Sequence, residues 1–256
     1  MSDDLIIRKQ ALIENPTPRV PICFVLDASG SMSEVIEGNY TSTGQTVEKD
    51  GKYWDIVSGG VTRLDKLNDG VKVFFDVLNK DEIARYAAEI SIVAFAGNAE
   101  VILDFMPLPN MPEHISIEEA DIDGTHIGTG VALALEILDK RKNEYKEAGV
   151  DYFQPWIVLM TDGRPTSGDP YVEVSKIVKD RVNKKTLTII PIGVGDEAGM
   201  DTLAMFSPKR SPLKLKGLCF EEFFEWLGKS VAATSQSTPG EDVPLDVEGI
   251  KGWAVL

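Results

Sequence analysis

The chain has 256 residues, 43% of them apolar and 26% charged, which is ordinary for a soluble globular protein and long enough for one sizeable core. A formal net charge of −15 argues against nucleic acid as a main partner and against an anionic membrane surface, because both are gripped by clustered Lys and Arg. No apolar run approaches the roughly 18 residues of a spanning helix, and the amino terminus MSDDLIIRKQ does not read as a secretory signal.

In chain order, residues 1–17 read as a polar lead with one apolar patch at Leu5, Ile6 and Ile7. The segment Asn15-Pro16-Thr17-Pro18 is extended or turn-like. Val20, Ile22, Cys23, Phe24, Val25 and Leu26 then form a near-continuous apolar run, the pattern of a strand covered on both faces. The run stops at Asp27, and small or polar residues follow through Ser31. Asp27, Ser29 and Ser31 alternate, so all three point one way if the backbone stays extended. That places a carboxylate and two hydroxyls at the carboxyl end of a strand, where ligands bind in open α/β sheets. The plainer reading is a helix start, since Ser31 and Glu34 have the spacing of a capping box.

Residues 36–60 interrupt the expected passage into a helix. Asp50-Gly51, between Gln45–Lys49 and Lys52–Ile56, is a two-residue hairpin signal. It predicts an inserted hairpin bearing Tyr40, Tyr53 and Trp54 and tethered beside the polar turn. The insert reads either as a specificity element or as a surface excursion with incidental aromatics.

Val61, Leu64, Leu67, Val71, Phe74, Phe75 and Leu78 then fall on one face of a helix over residues 61–80. Residues 89–96 and 100–105 are two strands joined through Asn98, a connection too short for a parallel crossover, so they pair antiparallel. A loop with Pro107, Pro109 and Pro112 leads to Asp123-Gly124-Thr125-His126-Ile127-Gly128 and an amphipathic helix carrying Val131, Leu133, Leu135, Ile137 and Leu138. Thr125 also suits an ordinary N-cap. Residues 156–160, WIVLM, are a fully apolar strand ending in Thr161-Asp162-Gly163, where Asp162 also suits a plain turn.

A polar helix over 171–183, a strand over 186–194, a short helix over 199–206, an edge strand over 213–218 and a helix over 220–234 complete the body. Residues 235–256 read as a mostly irregular tail whose Trp253, Val255 and Leu256 dock on the body or on a partner. Strands alternating with helices predict an α/β domain. Its sheet is mostly parallel with one antiparallel edge strand, and helices cover both faces. The cysteines Cys23 and Cys219 both lie in apolar surroundings, which predicts buried reduced thiols and a cytoplasmic protein.

Asp27-x-Ser29-x-Ser31, then Thr125, then Asp162 in a Thr-Asp-Gly turn, resembles the metal-ion-dependent adhesion site of the von Willebrand factor A domain. The resemblance covers about residues 18–234 and implies a Rossmann-like fold. It divides the chain into a lead (1–17), the domain (18–234, with the insert at about 36–60) and a tail (235–256). Within the family, PICFVLDASGSMS, DGTHIGTG and VLMTDGRPTSGD are similar to bacterial TerY-type proteins of tellurite-resistance and stress operons. The long hairpin departs from a compact member.

The resemblance implies that Ser29 and Ser31 ligate a metal directly and that Thr125 does so directly or through water. It gives Asp27 and Asp162 roles through water and hydrogen bonds. Such oxygens suit Mg²⁺, or Mn²⁺ in its place; Ca²⁺ usually wants more carboxylates. Neutral hydroxyls leave the ion electrophilic, so the implied ligand is an Asp or Glu carboxylate of a partner protein.

The expected function is therefore a cytoplasmic Mg²⁺-dependent interaction module, an adaptor or scaffold in a stress or tellurite-resistance system, and not an enzyme. The alternative is a metal-dependent phosphatase or hydrolase using Asp27 as nucleophile. Against it, Ser29 stands where a haloacid-dehalogenase-type enzyme would want a second Asp, and no P-loop motif is present. A Ser nucleophile would have only His126 nearby as a base. His126 reads as a rim or surface residue, His114 carries no assignment, and the oligomeric state is open.

Overall fold

The computed structural model describes residues 12–15, 17–49, 52–120, 122–217, 219–240 and 249–255. The elements run β1 (Val20–Asp27), β2 (Val35–Lys49), β3 (Lys52–Thr62), α1 (Arg63–Asn79), the four-residue α2 (Ala84–Ala87), β4 (Ala88–Phe95) and β5 (Ala99–Pro107). They continue with α3 (Ile127–Ala148), β6 (Trp156–Thr161), α4 (Tyr171–Asn183), β7 (Thr188–Gly193), α5 (Met200–Phe206), β8 (Leu213–Leu215), α6 (Phe220–Ser235) and β9 (Ala254–Val255).

Seven strands form one sheet in the order β5-β4-β1-β6-β7-β8-β9. The pairs from β4 through β8 are parallel. β5 lies antiparallel on β4 as the expected antiparallel edge. Every residue of β1, β4 and β6 is buried, because helices cover both faces. Ile22, Phe24 and Leu26 face a layer built from Phe74 of α1 and Phe220, Phe223 and Phe224 of α6. Cys23 and Val25 face Val131, Leu135 and Val178 of α3 and α4, the two-residue alternation of a strand. Gly70 lets α6 come close to α1, since a Cβ there would stand 2.5 Å from the Phe224 ring.

Two parts of the fold differ from the sequence reading. Residues 213–215 are not the sheet's edge, because β9 pairs antiparallel on β8. The last described residues of the tail are ordered by that pairing and by Trp253, whose buried ring lies 5.8 Å from Phe223 and 5.7 Å from Trp226. The tail thus docks on the body at Trp253, while Val255 is exposed and Leu256 lies outside the described residues. The hairpin forms with longer arms than its turn signal suggests, running from Val35 to Thr62 as a separate two-stranded sheet. The Asp50-Gly51 turn itself lies outside the described residues.

The connection leaving β1 reaches α1 on one face of the sheet, and the connection leaving β6 reaches α4 on the other. Diverging connections from neighbouring parallel strands open a crevice at their carboxyl ends, and the candidate residues lie at that end.

Candidate metal site

Asp27 closes β1 and is fully buried. The backbone N–H of Ser29 donates to its Oδ1 at 2.9 Å, and the Thr161 hydroxyl, from the end of the adjoining β6, donates to its Oδ2. Thr161 escaped the sequence reading, although its position one residue before Asp162 on a neighbouring strand end was visible there.

The chain is extended only as far as Ser29, and Gly30–Ser33 winds into a single 3-10 turn. The expectation that strand alternation would aim Ser31 is therefore corrected, since the turn brings it in. Ser29 Oγ and Ser31 Oγ stand 3.1 Å apart, and Ser31 Oγ donates to Asp162 Oδ1 at 2.8 Å. No Ser31–Glu34 capping box forms. The Glu34 carboxylate instead accepts from Arg63 Nη1 at 2.5 Å. The capping box at this end of the molecule belongs to Thr62 and Asp65 at the start of α1.

Asp162 follows β6 and is almost fully buried. Its Oδ2 lies 3.6 Å from Arg63 Nη1, which also donates to the Ser31 carbonyl at 2.8 Å. Arg63 is the second residue that sequence reasoning missed. Its signal was a cation at the first position of a helix, where the dipole disfavours one.

Thr125 is half-buried and reaches the group through the turn after Asp162. Its N–H donates to Thr166 Oγ1 at 2.8 Å, and its carbonyl accepts from Thr166 N at 3.0 Å. Its Oγ1 stands 3.4 Å from where a Cβ on Gly163 would be, which places the hydroxyl in van der Waals reach of the Asp162-Gly163 turn. The neighbouring Gly124 has φ +116°, a conformation open mainly to glycine. Thr125 is not the N-cap of α3. His126 holds that position and makes no side-chain cap. The first N–H groups of α3 are capped from a distant loop by the buried Asp169, which accepts from Gly128 N at 2.8 Å and Thr129 N at 3.1 Å.

Hydrogen bonds thus chain Asp27, Ser29, Ser31 and Asp162, and Thr125 stands against the same turn. Burial, and then the nearby charge of Asp162, pushes the Asp27 carboxyl up to about 7, against the hydrogen bonds from Ser29 and Thr161. Burial also raises Asp162, against the Ser31 hydrogen bond and the Arg63 charge. Among the described residues no three or more His, Cys, Asp or Glu side chains gather as a metal-binding group. The donors here are three hydroxyls and two carboxylates, a wholly oxygen set of the kind a hard divalent cation takes. Two buried carboxylates with raised pKa values and one guanidinium at ion-pair distance leave negative charge that such an ion would offset, so the residues present fit one.

The family model of the von Willebrand factor type A domain matches residues 22–164, the stretch that holds all five residues. No curated protein matches the chain in sequence. Among solved structures, proximal thread matrix protein 1 from the mussel byssus is 17% identical with a TM-score of 0.52; the match covers 85% of this chain and 47% of that one. The conserved hypothetical protein BatB from Bacteroides thetaiotaomicron is 16% identical with a TM-score of 0.52, over 84% of this chain and 99% of that one. The pilus adhesin SpaC from Lactobacillus rhamnosus GG is 13% identical with a TM-score of 0.57, over 86% of this chain and 31% of that one. This chain therefore spans less than half of the mussel protein and of the adhesin. At these identities the likeness is one of fold.

Proposed function

The chain belongs to the von Willebrand factor type A domain family, and on that premise we propose that it is a Mg²⁺-dependent protein-interaction module. In this reading Ser29, Ser31 and Thr125 hold the ion, with Asp27 and Asp162 behind them, and Mn²⁺ serves the same oxygens. The bound ion supplies an open coordination position for an Asp or Glu carboxylate of the partner. The observation that carries the reading is the continuous chain from Ser29 through Ser31 to the buried Asp162, beside a second buried carboxylate.

The hairpin supports a role in recognition. It leaves the body directly beside the site and carries Tyr40 and Tyr53 at 58% and 74% exposure. The reading includes no catalysis. Asp27 has no exposed surface, and both its oxygens already accept hydrogen bonds, which suits a supporting carboxylate better than a nucleophile. Mg²⁺-dependent hydrolysis of a phosphate ester that disappears in Asp27→Asn would reverse this choice.

A cytoplasmic setting is part of the proposal and rests on the free thiols of Cys23 and Cys219. No helix among the described residues is long and apolar enough to cross a membrane. The stress or tellurite-resistance setting rests on the three TerY-like motifs alone. The direct test is a calorimetric titration with Mg²⁺ and Mn²⁺ of the wild type and of the Ser29→Ala, Asp162→Ala double variant. Saturable binding in the wild type that is lost in the variant is expected. Equal binding in both would refute the site.

A further inference from the structure

Arg63 is placed where a helix does not want it. It is the first residue of α1, and a positive charge there opposes the helix dipole. Three groups outside the helix hold it: the Ser31 carbonyl at 2.8 Å, the Glu34 carboxylate at 2.5 Å and Asp162 Oδ2 at 3.6 Å. Two of these belong to candidate metal-site residues, and the third stands at the foot of β2. Lys66, one turn along α1, ties the next acid of that strand, with Nζ 3.1 Å from Glu37 Oε2. Arg63 keeps only one fifth of its side-chain surface exposed, so its charge is directed inward at the site.

We propose that Arg63 is a built-in cation of this site, sharing Asp162 with the divalent ion and thereby setting how tightly the ion is held. The proposal rests on the metal reading above. Its physical basis is that Ser31 serves both charges, offering its hydroxyl to the ion and its carbonyl to the guanidinium. The two cations are therefore neighbours. A unit charge held beside a doubly charged ion would weaken its binding by several-fold even with the dielectric of bulk water, and by about tenfold or more at a protein surface. Arg63 also occupies part of the Asp162 charge that would otherwise act on the ion alone. The consequence for function is coupling. A carboxylate arriving at the ion also offsets the Arg63 charge, so ion and acidic ligand each favour the other's binding. The site fills best when both are present.

The test is a Mn²⁺ titration by calorimetry at low ionic strength on the wild type, Arg63→Gln and Arg63→Lys, with folding checked by circular dichroism melts. Arg63→Met, which keeps the stem and loses the charge, is the second neutral variant should Arg63→Gln unfold. The expected result is that the neutral variants bind Mn²⁺ about tenfold more tightly or better, with Arg63→Lys within about threefold of the wild type. A folded neutral variant that binds no more tightly than the wild type overturns the role of Arg63 and leaves the metal reading standing. Absence of Mn²⁺ binding in the wild type and in every variant overturns both.

Discussion

The two ends of the central sheet treat buried charge in opposite ways. At the amino end, Glu89 at the start of β4 is buried and accepts from Arg19 Nε at 3.0 Å, Arg141 Nε at 2.7 Å, Arg141 Nη2 at 2.9 Å and the Tyr145 hydroxyl at 2.6 Å. Two guanidiniums converge on this carboxylate, and Glu144 pairs with Arg141 beside it, so cations and carboxylates balance within the chain. At the carboxyl end, two buried carboxylates are served by hydroxyls, a backbone N–H and a single guanidinium 3.6 Å from Asp162. Buried charges are ordinarily paired. The first end obeys that rule within the chain, whereas the second satisfies its hydrogen bonds with neutral donors and leaves its charge to be offset from outside. In the proposed reading, that contrast separates a structural ion network from a binding site, even though both are buried and polar.

Breaking the closed end should give the largest loss of stability. Glu89→Gln removes the carboxylate that buried Arg19 and Arg141 share, with Glu144 still paired to Arg141, and is expected to cost about 3–5 kcal/mol. Urea unfolding measures this, and Mn²⁺ affinity should be unchanged in whatever fraction remains folded. A cost under about 1 kcal/mol would remove the distinction between the two ends.

A smaller effect is expected from Asp169→Ala, which removes the carboxylate that caps α3 and steadies the segment behind Thr125. The loss of such a cap is worth about 1–2 kcal/mol. Mn²⁺ binding should weaken with it, because Thr125 is fixed to the same turn. Unchanged binding would show that Thr125 is positioned without Asp169.

The last effect is in pH dependence, spread gradually over several pH units, and it carries the sign that distinguishes the open end. Without metal, the Asp27 carboxyl lies at about 7 against an ordinary 3.8, so the folded protein holds a proton that the unfolded chain releases. The stabilisation is fully present below about pH 4 and is lost as pH rises through about 7, with a slope of at most about 1.4 kcal/mol per pH unit. Chemical denaturation from pH 4.5 to 7.5 should therefore show this component in metal-free protein. It should flatten in Asp27→Asn and in saturating Mg²⁺. A component unchanged by Asp27→Asn would place its source elsewhere.

Much of this was legible in the sequence. The apolar runs of β1 and β6 are strands because helices cover both their faces, and their polar ends announced Asp27, Ser29, Ser31 and Asp162 in order. What escaped depended on contacts between distant segments. The direction of Ser31 is set by a 3-10 turn that no local periodicity marks. Thr161, Arg63 and Asp169 act on residues 134, 32 and 41 positions away respectively, and only the folded chain brings those partners together. β9 is two residues long and exists because β8 offers it an edge. The arms of the hairpin were underestimated because Gly38, Gly44, Gly59 and Gly60, all at positive φ, break the alternation by which strands are recognised.

The central proposal is that Ser29, Ser31 and Thr125 hold a divalent cation with Asp27 and Asp162 behind them, and anomalous scattering from crystals grown with Mn²⁺ tests it most directly. The account predicts a Mn²⁺ peak at the carboxyl ends of β1 and β6, in contact with the Ser29 and Ser31 hydroxyls. A Mn²⁺ peak found only elsewhere, with the Ser31–Asp162 hydrogen bond intact, would contradict it.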